Sequence, residues 1–242
     1  MTKRTELCRG HISQDIRKKY WMPLESSYKA GAWEALDAGY SESHRAYHTW
    51  EHIADLLEKL STLSHLSARP DIITSSVFWH DAVYETQNRD GSPRQDSENV
   101  RDSAELFRRY SLLNPPDTGA VYDLIVATAN HLEAHVEKGH YEGFAGDLDL
   151  FLDLDLSPLG APWEVFVEDF ARIRFEFAWV PEIVFYTKQL QILESFANED
   201  VHLYRLAASR EKWYPAARSN LTCCIGEMKK KIAELSLVRS KP

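Results

Sequence analysis

Residues 47–63 read Tyr47-His48-Thr49-Trp50-Glu51-His52-Ile53-Ala54-Asp55-Leu56-Leu57-Glu58-Lys59-Leu60-Ser61-Thr62-Leu63, and the spacing of the apolar residues in this stretch decides the fold class. Ile53, Leu56, Leu57, Leu60 and Leu63 recur at intervals of three and four, which gathers them into one stripe of a helix. The same spacing returns in Val100, Ala104 and Phe107 and again in Val121, Leu124, Ile125 and Thr128. An all-α chain follows. His48 and His52 stand four residues apart, so on such a helix both rings project from one face.

Boundary residues agree with helices. Asp71 is suited to cap the run leading to Val77, Phe78 and Trp79, and Asp117, after Pro115 and Pro116, to cap the next. Glu85 to Gln95 is rich in turn-forming residues and offers a mobile lid. Asp147 to Leu156 alternates acidic and apolar residues in strand fashion. With no second alternating segment to pair its backbone, a helical or irregular segment is the better reading. From Trp163 onward, Phe166, Phe170, Ile173 and Phe177, then Ile183, Tyr186, Leu190 and Leu193, mark packing helices broken by Pro181. They supply scaffold, pocket walls or the face of a homodimer.

Composition narrows the class. With 44% hydrophobic residues in 242, and no repeat or linker-like stretch, the chain reads as one domain over 1–242. Its motif-bearing core is about 41–160 and its C-terminal helical extension about 162–236. Asp plus Glu (37) outnumber Lys plus Arg (28), leaving a charge of −9, which argues against nucleic-acid polymers and anionic membranes as partners. A small anionic substrate stays compatible, because a bound dication inverts the local field. No stretch resembles a signal peptide or a membrane span, so a cytoplasmic protein is expected. Cys8, Cys223 and Cys224 form neither a disulfide framework nor a spaced zinc motif. Asn220-Leu221-Thr222 fits a glycosylation acceptor that has no consequence without a secretory route.

Chemistry concentrates in a few places. In Val77-Phe78-Trp79-His80-Asp81-Ala82-Val83-Tyr84 a His-Asp pair sits inside an apolar run. An uncompensated buried carboxylate costs roughly several kcal/mol, so such an aspartate normally has a metal, a cation or several donors beside it. His131 closes an amphipathic segment, and Asp147, Asp149, Asp153 and Asp155 add carboxylates. A mixed imidazole and carboxylate set suits Mn, Fe, Co, Ni or Zn better than calcium. His135 and His140 read as surface residues.

In this order the residues resemble the H…HD…D signature of the HD superfamily, and within it the branch of predicted metal-dependent HD phosphohydrolases. That branch carries YHN-x-x-HI, FHD-x-x-Y, an SA-containing helix, I-x-AT-x-x-H and LD-x-DL-x-x-LG. Here they stand as Tyr47 to Ile53, Trp79 to Tyr84, Ser103-Ala104, Ile125 to His131 and Leu152 to Gly160. The resemblance implies an HD-like helical bundle with extra C-terminal helices. It implies metal ligands His52, His80 and Asp81, closed by Asp155 or Asp153, with His48 as a further partner. The divalent metal would be Mn, Fe, Co, Ni, Zn or Mg. The implied reaction is hydrolysis of a phosphate ester of a nucleotide or another small phosphorylated metabolite. In it Asp81 orients the water, while His48 or His131 contacts phosphate oxygens or protonates the leaving group. Relatives carry a glutamate just before the SA helix; Val100 stands there, and the nearest acid, Glu98, is the expected acid or base. A regulatory HD protein that binds a nucleotide without turnover and a di-iron HD-type oxygenase are the alternatives.

Overall fold

A computed structural model describes residues 11–134, 145–200 and 202–239; Cys8, His135 and His140 lie outside them. The fold is all-α. Among the described residues, β pairing is limited to isolated bridges between Tyr28 and Ser111 and between Gln87 and Pro93. One domain over 1–242 was expected; the chain divides into two compact units, Met1–Asp155 and Leu156–Pro242. No helix among the described residues is long and apolar enough to cross a membrane.

In the first unit, π and 3₁₀ turns over Arg17–Trp21 and Met22–Ser27 lead to helices α1 (Ala32–Tyr40), α2 (Trp50–Leu63), α3 (Pro70–Trp79), α4 (Asp96–Tyr110), α5 (Pro115–Ala127) and α6 (Ala145–Asp155). The stripe Ile53, Leu56, Leu57, Leu60 and Leu63 is buried along α2. The segment 147–155, strand-like in pattern, is helical. Its alternating leucines reach the core on both sides, with Leu148, Leu150, Leu152 and Leu154 all buried.

Helix α3 is the centre of this unit. It packs against α2, α4, α5 and α6, and Ile72, Ile73, Val77, Phe78 and Trp79 are buried, as a helix enclosed on several sides requires. Its start is not capped by Asp71. Asp147 reaches in from α6 instead, accepting the N–H groups of Ala68 and Arg69 at 2.8 and 2.9 Å. Asp71 takes the Arg69 guanidinium together with Asp117. Asp117 does not cap α5 either: Asn114 does, its side chain accepting from the Asp117 N–H at 2.9 Å. Both aspartates sit inside the first turn, where a carboxylate still favours the helix N-terminus.

The expected lid over Glu85 to Gln95 is a tight turn with Gly91 at φ 85°. Asn99 of α4 pins its two ends, accepting from Glu85 N and Arg94 Nε and donating to the Glu85 carbonyl.

The second unit holds a 3₁₀ turn at Ser157–Gly160 and helices α7 (Trp163–Glu176), α8 (Glu182–Phe196) and α9 (Ala207–Arg239). Gly160 lets α9 close in, since a Cβ there would stand 2.7 Å from the Trp213 carbonyl oxygen. Asn220 is buried, and its amide donates to the carbonyls of Leu159 and Ala161, which occupies the nitrogen a glycan would need. Helix α7 buries Phe166 but leaves Trp163, Val165, Val167 and Phe175 exposed. Cys223 and Cys224 are free thiols, and burial pushes Cys224 up to about 11.

Candidate metal centre

Three elements of the first unit converge on one point. His52 comes from the first turn of α2, His80 and Asp81 follow the C-terminus of α3, and Asp155 ends α6. The Nε2 atoms of His52 and His80 are 3.3 Å apart. Asp81 Oδ2 lies 3.1 Å from His80 Nε2 and 3.8 Å from His52 Nε2. Asp155 Oδ1 is 3.4 Å from both nitrogens. Donors about 2.1 Å from a common ion stand roughly 3.0–3.4 Å from one another. His52, His80 and Asp81 thus form a group able to hold a metal ion, and Asp155 Oδ1 stands beside it, 3.4 Å from both histidine nitrogens.

The donor chemistry fits as well as the spacing. His80 Nδ1 lies 2.9 Å from the Val77 carbonyl, which can only accept. Nδ1 therefore carries the proton, and in the neutral ring Nε2 keeps its lone pair for the cluster. Burial raises the proton affinity of Asp81, but the charge of His80 outweighs it and holds Asp81 well below the usual carboxylate range. Asp155 is held down in the same way by His80, His131 and His52 against its own burial. Burial pushes His80 down, and the charges of Asp81 and Asp155 outweigh it and raise it well above an ordinary histidine. Two carboxylates in one desolvated site need a cation, and a dication meets that need more fully than one imidazolium. Side-chain exposure is 4% for His52 and 1% for His80 but 17% for Asp81 and 12% for Asp155. The site therefore opens to solvent on its carboxylate side.

The remaining expected residues divide. His131 lies 2.7 Å from Asp155 Oδ2, so Asp155 spends one oxygen on the cluster and the other on His131. Asp153 is buried but outside the cluster: two residues from Asp155 on a helix, it projects from nearly the opposite side. His48 does not share a helix face with His52. Thr49 caps α2, accepting from the Glu51 N–H, and His48 lies before the helix with its ring stacked on Tyr84 at 3.6 Å. It still acts on Asp81 electrostatically. Glu98 closes a capping box with Gln95, whose N–H it accepts at 3.0 Å.

Two residues near the site escaped the sequence reading. Asp96, the first residue of α4, lies within electrostatic reach of Asp81, His48, His131 and Asp155. Its side chain still reaches solvent, and surrounding protein and the Asp81 charge push its pKa up. The capping-box pattern Gln95 to Glu98 was the available signal, since it commits Glu98 to the helix start. The other is Arg45, a fully buried guanidinium bonded to the Asp81 and Ala82 carbonyls; nothing local in the sequence marks it. No protein-family model, no curated protein and no solved structure matches the chain.

Proposed function

We propose that the chain is a metal-dependent phosphohydrolase of the HD type, acting on a phosphate ester of a nucleotide or another small phosphorylated metabolite. The observation that supports it most is the pair of histidine nitrogens 3.3 Å apart, with one oxygen of Asp81 and one of Asp155 each 3.1–3.8 Å from both nitrogens. The residues present fit a divalent cation held by His52, His80, Asp81 and Asp155. Such a cation acidifies a coordinated water and polarises a phosphoryl oxygen. Without it, Asp81, Asp155 and Asp96 would repel a phosphate; the metal and the anionic substrate are therefore one reading.

The chain's own groups do the remaining work in this reading. Asp81 orients the attacking water with its carboxylate while serving as a ligand. His131, held by Asp155 and 19% exposed, stands where its ring meets a phosphate oxygen or passes a proton to the leaving group. His48, fixed flat against Tyr84, and Asp96 supply further polar groups beside them.

Turnover of a generic aryl phosphate with added Mn, Co, Ni, Mg or Zn tests this, for wild type and Asp81→Ala. The expected result is turnover that needs metal and is lost in the variant. Turnover indifferent to both overturns the proposal, and metal-loaded protein that binds a nucleotide without cleaving it replaces it with the regulatory reading. In the alternative of a di-iron oxygenase, His131 would give up its hydrogen bond to Asp155 to ligate a second metal. Two irons per chain with oxygen consumption in place of phosphatase turnover would establish that branch.

A further inference from the structure

Helix α3 ends at Trp79, two residues before Asp81, and a helix C-terminus leaves carbonyls without intrahelical partners. The segment 39–45 supplies a partner to that terminus and to the turn that follows it. Tyr40 donates its hydroxyl to the Phe78 carbonyl at 2.9 Å. Arg45 is 1% exposed and donates through one guanidinium nitrogen to the Asp81 carbonyl at 2.7 Å and through another to the Ala82 carbonyl at 3.2 Å. Its Nε donates to Glu42 at 2.8 Å, so the fork is fixed from behind. Gly39 permits the approach, because a Cβ there would stand 2.5 Å from the Ala82 carbonyl oxygen. On the other side of the same turn Ser103 accepts from Val83 N–H and donates to the Val83 carbonyl.

We infer that Arg45 is a positioning residue for the metal ligand Asp81: by gripping the Asp81 and Ala82 carbonyls it fixes the backbone from which the Asp81 carboxylate reaches His52 and His80. The inference rests on the metal reading proposed above. An aspartate has a short stem with few rotamers, so the place its carboxylate can reach is set largely by where its backbone stands. Arg45 also sits 6.0 Å from the centre of the Tyr84 ring, and Tyr84 carries His48 at 3.6 Å. One buried guanidinium thus braces both the ligand turn and the ring under His48. Lysine cannot replace it fully, since an ammonium lacks the planar fork that spans two carbonyls.

Cobalt(II) titration of the full chain, followed by calorimetry and by the visible spectrum of the bound ion, separates this role from general stability. Arg45→Met is expected to bind cobalt about 10–100-fold more weakly, in line with the loss of an outer-shell partner, and to shift the visible bands; Arg45→Lys recovers part of the affinity. Val121→Ala, a buried truncation in α5, lowers Tm but keeps wild-type affinity and spectrum. Should Arg45→Met fail to fold, Arg45→Lys against Val121→Ala decides alone. Arg45 variants with wild-type affinity and spectrum overturn the inference while leaving the metal reading intact. A wild type that binds no cobalt overturns both.

Discussion

Asp155 turns one carboxylate oxygen to the cluster and the other to His131, with Oδ1 3.4 Å from the Nε2 atoms of both His52 and His80 and Oδ2 2.7 Å from His131 Nε2. A ligand's outer partner holds its orientation and tunes its basicity. The two outlying histidines therefore differ in rank. His131→Gln should weaken metal binding about 10–100-fold, whereas His48→Gln, whose ring rests on Tyr84, should leave metal affinity near wild type and lower turnover. Metal titration beside steady-state kinetics on the two variants checks this; equal metal affinities contradict it.

Asp153 and Asp155 are separated by the helix rather than by distance in sequence. Asp155→Asn should lose metal binding. Asp153→Asn should keep it and cost about 1–3 kcal/mol of stability, as a buried polar group deprived of its full partner set does. Metal content and denaturant unfolding distinguish the two, and loss of metal in Asp153→Asn would reverse the assignment.

Asp147 accepts the Ala68 and Arg69 N–H groups across 79 and 78 residues of sequence. Asp147→Ala should lower stability by about 2 kcal/mol, as loss of hydrogen bonds to a charged group does. Equilibrium urea unfolding measures it; a change below about 0.5 kcal/mol would show that the contact contributes little.

The charge pattern fixes a pH dependence for the metal-free protein. His80 is raised in the folded state, so its contribution is complete below the unfolded value of about 6.5 and is lost as pH rises through the folded value. Asp81 and Asp155 are depressed, so theirs is present above about 3.9 and lost as pH falls through their folded values. Tm of the metal-free chain should therefore fall on the alkaline side, while the metal-loaded chain gains, because the ligands must be deprotonated to bind. Scanning calorimetry from pH 5 to 9 should show the two curves diverging as pH rises; parallel curves contradict the account.

The helices were legible because burial on one side leaves a 3.6-residue period, as in Ile53 to Leu63. His80 and Asp81 were legible because a His-Asp pair inside an apolar run demands a compensating partner; His52 and Asp155 were singled out only by the resemblance, which left Asp153 as a rival to Asp155. His48 was misjudged: Thr49, a residue type suited to capping, stands directly before the first turn of α2 and places His48 outside it. The caps of α3 and α5 were assigned to the nearest aspartates, whereas the residues leading into α3 are held by Asp147 from 78 and 79 residues away and α5 is capped by Asn114. Arg45 was invisible for the same reason, since its value lies in which carbonyls the fold brings to it.

Metal content of the purified chain after equilibrium dialysis against manganese(II), for wild type and a His52→Ala/Asp81→Ala double variant, tests the central claim most directly. The account predicts at least one bound ion per wild-type chain and none in the double variant. No ion in the wild type, or the same content in both, would contradict it.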